Sequence, residues 1–473
     1  MKIRLLFISL FICMQTAFAA EITLSGNAPH YRNQIVSVFT YTDYISFTQK
    51  SLGEFIVAAN GDFSFTFSSL QIVNIYIELG ALRLSAFVEP GKTYQIALPP
   101  KRDLTDAEKL NPYFKHFSFS LFVGNSGYLN EKILQYDSLY FAFLEKDFKE
   151  VYFKHGANGI NRFATYADSL VPSSESKFFD AYKRYKIAGI KHLARPTNKK
   201  LLVKNYLQNQ PVLYDNPAYF DFLGSLYKNY FITARADSVS SIFVGYLFEP
   251  KKFEQADSMF TKLENIDNTE LRYIIYALAL TDGFYNNSIA KGKAVETLET
   301  IAKASPSEYV RGLCSILILE FKQLVKGADA PEFKLLNIEN KTISLQSFKG
   351  KFIYLNFVNS DNYVCLQELG LLKTIYAKYI DVLEIVSIFT DANPNEMVDL
   401  VKKNNYNWVF AHYKNDPDVL KKYKVKVQPS YFLISPEGKI LWSPAYSPQE
   451  DFENKFTDEI LNYKREQTRK ENR

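Results

Sequence analysis

The sequence of 473 residues predicts a multidomain protein, with an N-terminal all-β, sandwich-like domain, an α-helical middle region and a C-terminal α/β domain. Three changes of pattern support this prediction. Short alternating strands occupy 20–100, apolar residues at helical spacing follow in 101–326, and strands alternate with helices in 327–465 before a charged tail at 466–473. With 47% hydrophobic residues, the chain can bury several cores.

The first 19 residues have the pattern of a secretory signal peptide. Lys2 and Arg4 form a charged start, an apolar stretch runs over 5–14, and the small-residue cleavage sequence AFA ends at Ala19. The apolar stretch is too short to span a bilayer, and no later segment has about 18 uninterrupted apolar residues. We therefore expect export, cleavage after Ala19 and no transmembrane segment. A retained anchor is the alternative.

Charge and composition exclude several kinds of partner. The net charge of +5 is modest and no block of lysine and arginine is present, so we expect no nucleic-acid partner. The five histidines show no ligand spacing to one another, to carboxylates or to cysteines, so we expect no metal and no cofactor; they are His30, His116, His155, His192 and His412.

Only Cys314 and Cys365 remain after cleavage of the signal peptide. Two cysteines in some 450 residues do not form a disulfide framework, although an exported protein meets oxidising surroundings. A single disulfide between them would require the helical region to dock against the loop that carries Cys365.

Residues 20–100 read as a series of short strands. In the segment "GDFSFTFSSL", which follows the Asn60-Gly61 turn, Phe63, Phe65 and Phe67 alternate and share one face. A face of this kind in a short strand is typical of a hydrophobic core, with ligand binding as the alternative. The regular strands indicate a small β-sandwich.

The middle region, 101–326, is rich in Lys, Glu, Tyr, Phe and Leu at helical spacing from about Asn111 to Val325, and prolines divide it into segments of helix length. No repeat period is firm enough to predict a helical array. We interpret this region as an α-helical spacer. The alternation of Tyr and Lys leaves a carbohydrate or polyanion surface as a second interpretation.

The last third begins with "GADAPEF" and a short strand, followed by the buried strand "FIYLNF" at 352–357 and the helix "LQELGLLKTIYAKY". A second buried strand ("VLEIVSIFTD"), two helical segments, a hairpin turning at Pro436-Glu437-Gly438 and a last helix complete it. Alternating strands and helices that end in a hairpin predict a central mixed sheet covered by helices.

The features "GADAPEF", "SLQSFKGKFIYLNF", "VSIFTD" and "VQPSYFLISPEGKI" together resemble the thioredoxin-like superfamily. Within it they are similar to the TlpA/ResA-type envelope thiol–disulfide oxidoreductases and the wider redoxin (AhpC/TSA-like) group. The resemblance covers roughly 327–465 and implies a thioredoxin fold there. The β-then-helical front also resembles a two-part N-terminal region that accompanies such domains in one large group of Gram-negative bacteria, which implies a place in the periplasm or cell envelope of such a bacterium.

In this family the loop after the buried strand carries a tryptophan and then C-x-x-C at a helix N-terminus, where the first cysteine attacks and the second resolves. Aligning Phe357 and Glu368 sets the register. Asp361 then stands at the tryptophan position, Asn362 at the first cysteine and Cys365 at the second. An amide cannot attack sulfur, so we expect this degenerate site to lack dithiol exchange.

The stretch "NYVCLQELG" also resembles the "FVCPTELG" of many peroxiredoxins, with Cys365 as the peroxide-reactive thiol. Here Asn362 replaces the threonine, Val358 replaces the proline, and Pro429 or Ser430 replaces the arginine that polarises the peroxide. Cys365 therefore has two interpretations, a lone redox thiol or a small apolar side chain of the core.

Gln428-Pro429 matches the family's cis-proline, whose preceding residue offers its backbone to an extended peptide as an added strand. A purely structural role is the alternative. Glu368 follows the loop on the helix, where we expect a solvated side chain rather than an acid that relays protons.

Two functions follow. The first is a binding or assembly module of the cell envelope that holds a peptide or protein near Gln428, Pro429 and Asn362 without disulfide exchange. The alternative is an enzyme that uses Cys365 alone, as a peroxidase or a monothiol oxidoreductase.

Overall fold

The computed structural model describes residues 19–111, 114–124, 128–153, 157–173, 176–194, 198–286, 288–391, 393–425 and 427–471. The predicted signal peptide, apart from Ala19, lies outside the described residues. The chain forms two compact units: one comprises the chain up to Asp103 with 116–206 and 210–226, and the other comprises 104–115, 207–209 and everything from Tyr227 onward. In the described ranges, no helix has both the length and the apolar character needed to cross a bilayer.

The first unit contains two β-sheets whose side chains meet in one hydrophobic core. Phe63 and Phe65 are buried in this core and Phe67 packs against it, so the predicted role of the alternating phenylalanines is confirmed. The first seven strands are β1 (Ala20–Asn27), β2 (Ile35–Tyr41), β3 (Gln49–Ile56), β4 (Asp62–Ser69), β5 (Val73–Leu79), β6 (Leu82–Val88) and β7 (Thr93–Ala97).

A short helix, α1 (Asp106–Leu110), is followed by two further strands, β8 (Phe117–Ser120) and β9 (Phe122–Gly124). They complete a sheet of order β4-β1-β7-β9 and one of order β3-β2-β5-β6-β8. The prediction that 101–326 is helical is therefore wrong at 117–124. Phenylalanine and serine alternate there with period two, which favours a strand, and β6 and β7 offer edges for pairing.

Helices fill the rest of the middle region. Those before the boundary at Tyr227 are α2 (Tyr128–Phe153), α3 (Ala157–Leu170), α4 (Lys177–Ala194), α5 (Lys199–Tyr206) and α6 (Pro217–Tyr227). Those after it are α7 (Tyr230–Thr233), α8 (Ser238–Leu247), α9 (Phe253–Glu264), α10 (Thr269–Tyr285), α11 (Lys291–Ala304) and α12 (Glu308–Lys322).

The second unit is built on a seven-stranded mixed sheet of order β11-β10-β14-β13-β12-β15-β16. The central strands β12, β13 and β14 are parallel, and the others join them antiparallel. Its elements are β10 (Lys334–Asn337), β11 (Thr342–Ser344), β12 (Phe352–Val358), α13 (Tyr363–Tyr379), β13 (Leu383–Phe389), α14 (Pro394–Asn404), β14 (Val409–His412), α15 (Val419–Lys422), β15 (Ser430–Ile434), β16 (Ile440–Trp442) and α16 (Phe452–Glu471).

Strand β12 is buried on both faces and separates two cores. Leu355 and Phe357 belong to one core with Tyr423, while Tyr354 and Val358 belong to the other, which helices α13, α14 and α16 cover. The predicted central sheet is therefore present.

Two details of the second unit differ from the prediction. Strand β14 was not predicted, because its four residues are too few to show a period. The predicted charged tail at 466–473 is helical through Glu471, since its residues favour helix and contain no proline or glycine that would end α16. Residues 472–473 lie outside the described ranges.

Candidate functional site

The candidate site lies where the loop after β12 meets the segment before β15. These strands are antiparallel neighbours, and Phe357 pairs with Ser430. The loop at 359–362 and residues 427–429 therefore leave the sheet at the same edge. This places the sequence-predicted residues Asn362, Gln428 and Pro429 together.

Asn362 is the N-cap of α13. Its Oδ1 accepts hydrogen bonds from the backbone N–H of Val364, at 2.9 Å, and of Cys365, at 3.4 Å. Its Nδ2 donates to the backbone oxygen of Gln428 at 2.9 Å. One side-chain amide thus pairs with backbone N–H groups at the start of α13 and also binds the segment that contains Gln428.

The peptide bond between Gln428 and Pro429 is cis, as predicted. The hydroxyl of Ser430 donates to the backbone oxygen of Val427 at 2.6 Å and closes the turn before β15. A second cis bond, between Ser443 and Pro444, was not predicted.

Apolar side chains are exposed around this contact. Tyr363 is 70% exposed and Val427 68%, and Val364 is exposed as well. Asp361 also faces solvent. Neither Tyr363 nor Val427 is predictable from the sequence as a site residue, because a single apolar residue beside a polar loop has no periodic signal.

Cys365, by contrast, is fully buried in the core between α13 and the sheet. Burial raises the pKa of the Cys365 thiol, and the negative charges of Glu368 and Asp391 raise it further, while a backbone hydrogen bond from Asn359 acts in the opposite direction. The thiol is therefore protonated at neutral pH. Its surroundings are those of a small apolar side chain.

Cys314 lies in α12, and it is also buried. Burial raises the pKa of its thiol to about 12. Both cysteines are free thiols, so no disulfide joins Cys314 to Cys365.

The expectation that Glu368 is solvated is wrong. The side chain is 4% exposed, and its Oε2 accepts a hydrogen bond from the hydroxyl of Tyr431 in β15 at 2.7 Å. The reason is helical spacing: Cys365, Glu368, Leu369 and Leu372 share the face of α13 that packs on the sheet. Burial and the carboxylate together hold the pKa of Tyr431 above its usual value.

The loop at 359–362 is anchored from the far side by Asp391. Its Oδ1 accepts from the backbone N–H of Ser360 at 2.8 Å and from the Ser360 hydroxyl. The backbone oxygen of Asp391 in turn contacts Nε2 of His412 at 2.8 Å. Burial lowers the pKa of His412, so the imidazole is neutral and donates this hydrogen bond.

No group of three or more His, Cys, Asp or Glu side chains among the described residues could hold a metal ion. His155 lies outside the ranges that the structure describes. The remaining chemistry of the site is a capping amide, a cis-proline turn, exposed apolar side chains and a buried thiol.

Comparison with known proteins bears on the same part of the chain. Residues 326–443 match the AhpC/TSA family. The thiol-disulfide oxidoreductase ResA of Bacillus thuringiensis subsp. konkukian is 31% identical over 116 residues, which are 24% of this chain and 66% of that protein. The ResA of Bacillus subtilis is 30% identical over 121 residues, which are 25% of this chain and 67% of that protein.

Among solved structures, the thioredoxin domain of a thiol-disulfide oxidoreductase from Bacteroides vulgatus is 24% identical. The match covers 28% of this chain and 97% of that domain, with a TM-score of 0.27. The chain spans 66%, just under two thirds, of the length of the Bacillus thuringiensis relative. On the family match and the sequence relatives, the chain belongs to the thioredoxin-like redoxins, through residues 326–443.

Proposed function

We propose that the C-terminal domain is a thioredoxin-like binding or assembly module that does not exchange disulfides. The observation that carries this proposal is the position of Asn362. It stands where the family resemblance places the attacking cysteine, and its amide is already engaged with the helix start and with Gln428. Dithiol exchange requires two thiols within reach of each other, and this loop has one.

The exposed side chains support binding of a peptide. Tyr363, Val364 and Val427 present apolar surface on both sides of the contact between Asn362 and Gln428. Apolar residues grouped at a polar loop indicate an interaction site more than an isolated exposed leucine does. We propose that an extended peptide binds across these side chains, beside Gln428-Pro429.

The alternative function, a single-cysteine redox enzyme, requires Cys365 to reach its substrate as a thiolate. The side chain is fully buried and the two charged groups that act on it are both acidic. A peroxidase needs groups that polarise the peroxide beside an accessible thiolate, and the donors at this thiol are backbone N–H groups, not a cationic side chain. The surroundings of Cys365 therefore favour the binding module.

The test measures peptide binding and turnover on the same protein. A panel of fluorescein-labelled decapeptides of varied sequence is titrated with wild type, Tyr363→Asp and Val427→Asp, and binding is followed by fluorescence anisotropy. We expect some peptides to bind wild type and both variants to bind them at least tenfold more weakly, because a charge replaces the apolar contact.

Leu371→Asp is the matched control, since Leu371 is an exposed apolar residue further along α13. Equal losses in all three variants, or reduction of insulin by the wild type with steady turnover, would contradict the binding module. Rapid oxidation of Cys365 by hydrogen peroxide in the folded protein would support the redox enzyme instead.

We also propose that the protein is exported and that signal peptidase removes residues 1–19. The charged start, short apolar stretch and AFA sequence support this proposal. N-terminal sequencing of protein recovered from the periplasmic fraction is expected to begin at Ala20. Recovery of the intact N-terminus from the membrane fraction would show a retained anchor.

A further inference from the structure

A small cavity of about 150 Å³ lies in the second unit, beside the candidate site. It is lined by residues of α10, α11 and the segments around β15; among them are Phe284, Lys291, Tyr423, Lys424, Val427 and Ser430. Pockets for drug-sized ligands measure about 300–1,000 Å³, so this cavity has room for a single side chain or a small ion.

Lys291 is the first residue of α11, and its side chain is partly buried. Its Nζ lies 3.4 Å from the hydroxyl oxygen of Ser443 and 5.2 Å from the centre of the Phe284 ring. Among the described residues, no carboxylate forms an ion pair with this ammonium group. A cation that is partly withdrawn from water without an anion is unfavourable, and a hydroxyl and an aromatic face offset only part of that cost.

Lys424 approaches the same ring, with Nζ 5.6 Å from the centre of Phe284. Its Nζ donates to the backbone oxygen of Glu320 at 2.9 Å and lies 3.3 Å from Glu320 Oε1. The hydroxyl of Tyr285 donates to the same carboxylate oxygen. Glu320 therefore offsets the positive charge of Lys424, whereas the positive charge of Lys291 is not offset by this carboxylate.

The electrostatics agree with this geometry. Burial, together with the positive charge of Lys424, lowers the pKa of Lys291 to about 8. At neutral pH the group is still protonated. An anion in the cavity would stabilise the charged form of Lys291, because it would offset the positive charge of Lys424 and the loss of water around the ammonium group.

We propose that Lys291 and Lys424 bind a carboxylate group of the peptide held beside Gln428-Pro429. The inference rests on the proposed function, because Val427 and Ser430 flank Gln428-Pro429 and also line the cavity. The aromatic walls fit the methylene part of an aspartate or glutamate side chain, and the lysines fit its charge. The carboxylate comes from such a side chain or from the C-terminus of the peptide.

Competitive acetylation of the full chain tests the cavity without requiring a peptide. Trace acetic anhydride is applied across pH 6–10, and mass spectrometry gives the labelling of each lysine. The probes are sodium propionate, inorganic phosphate and two sets of decapeptides, one with a glutamate at each position in turn and the other with a free or an amidated C-terminus. We expect propionate and the acidic peptides to protect Lys291 and to shift its labelling curve to higher pH.

The variant is Lys291→Met, which keeps most of the length of the side chain and removes the charge. The acidic peptides should bind it at least about tenfold more weakly, while glutamine analogues should bind it and wild type equally. Lys293→Met is the matched control, since Lys293 is exposed on the same helix and paired with Glu296. If peptides without glutamate bind wild type and Lys291→Met equally, while peptides with an amidated C-terminus still prefer wild type, the carboxylate comes from the glutamate side chain.

The outcomes separate this inference from the proposed function. Peptides that bind beside Val427 without protecting Lys291 and without a preference for acid would overturn the carboxylate site and leave the binding module in place. Protection of Lys291 by propionate, with no peptide binding at all, would show that the cavity binds carboxylates and that the proposed function is wrong. Protection by phosphate alone would also overturn the inference, because it would show an ion site that excludes carboxylates.

Discussion

Asn362 determines whether the site can exchange disulfides. An asparagine is among the preferred N-cap residues, and its side chain here satisfies two backbone N–H groups that α13 cannot pair internally. The same side chain donates to Gln428. A cysteine at this position would lose both functions and would gain a nucleophile.

The first prediction concerns Asn362→Cys. The substitution places a thiol one helical turn before Cys365, which is the spacing that dithiol exchange requires. We expect weak reduction of insulin by the variant and none by the wild type, because Asp361 opposes ionisation of the new thiol and Cys365 is buried. The measurement is turbidity of insulin with dithiothreitol as the reductant.

The double variant Asn362→Cys/Cys365→Ser is its control and should lose the gained activity. Activity equal in the two variants would mean that the new thiol acts without Cys365.

The second prediction concerns the reactivity of the native thiols. Both are buried with raised pKa values, so both should react with Ellman's reagent far more slowly than free cysteine at pH 7. In 6 M guanidinium chloride the two thiols of the processed chain should react at once. Fast reaction of one thiol in the folded protein, assigned to Cys365 by mass spectrometry, would restore the single-cysteine enzyme as the better interpretation.

Among the elements, α13 and β15 are joined by one buried hydrogen bond, between Glu368 and Tyr431. Both side chains are nearly inaccessible to water. A buried carboxylate has few other ways to be satisfied, so this pair fixes how the helix sits on the sheet.

The third prediction follows from that pair. Tyr431→Phe should lower the free energy of unfolding by about 1–3 kcal/mol, because it leaves a buried carboxylate without its donor. Adding Glu368→Met should recover part of the loss, since both partners are then apolar. Urea denaturation measures both variants against wild type.

Tyr379→Phe is the matched control, because the hydroxyl of Tyr379 contacts Thr457 at the surface. It should change stability by less than about 0.5 kcal/mol. A loss as large in the control as in Tyr431→Phe would contradict a special role for the buried pair.

Some elements of the fold and the site were predictable from the sequence and others were not. The strand "FIYLNF", the loop residues Asn362 and Cys365 and the cis bond at Pro429 were predictable, because buried runs and a family motif give local signals. The strands at 117–124 were missed because the alternation of phenylalanine and serine covers only four residues within a region of helical spacing. The strand at 409–412 was missed because four residues are too few to show a period. The burial of Glu368 depends on which helix face meets the sheet, which a single helix does not reveal.

At the scale of the whole molecule, the predicted middle region does not form one body. Its helices divide near Tyr227 between the unit with the N-terminal sheets and the unit with the C-terminal sheet. In the first unit, Asn130 of α2 exchanges two hydrogen bonds of 2.7 Å with the backbone of Phe87 in β6. Contacts of this kind join residues far apart in sequence, so composition alone could not show them. The predicted domain boundaries after residues 100 and 326 stay predictions.

The fourth prediction concerns stability against pH. An unfolded lysine has a pKa of about 10.4, whereas that of Lys291 in the folded chain is about 8. Between these values the unfolded state binds more protons, so Lys291 makes the folded state more stable as pH rises from about 8 to about 10. The charged and titratable groups around it are Lys424, Glu320, Tyr285 and Tyr423.

The measurement is the urea midpoint of wild type and of Lys291→Met between pH 7 and pH 10. The stability of wild type relative to the variant should rise through this window, because other groups that titrate there are common to both proteins. A difference that does not change with pH would show that Lys291 has an ordinary pKa in the folded chain.

The contact between Asn362 and Gln428 has one more consequence. A pair of cysteines in this loop would exist in two covalent states, and the surface beside it would change whenever electrons were gained or lost. An amide has a single state under the same conditions. Occupancy of the surface formed by Tyr363, Val364 and Val427 would then be set by the concentration of the partner, and would stay the same in oxidising and reducing surroundings.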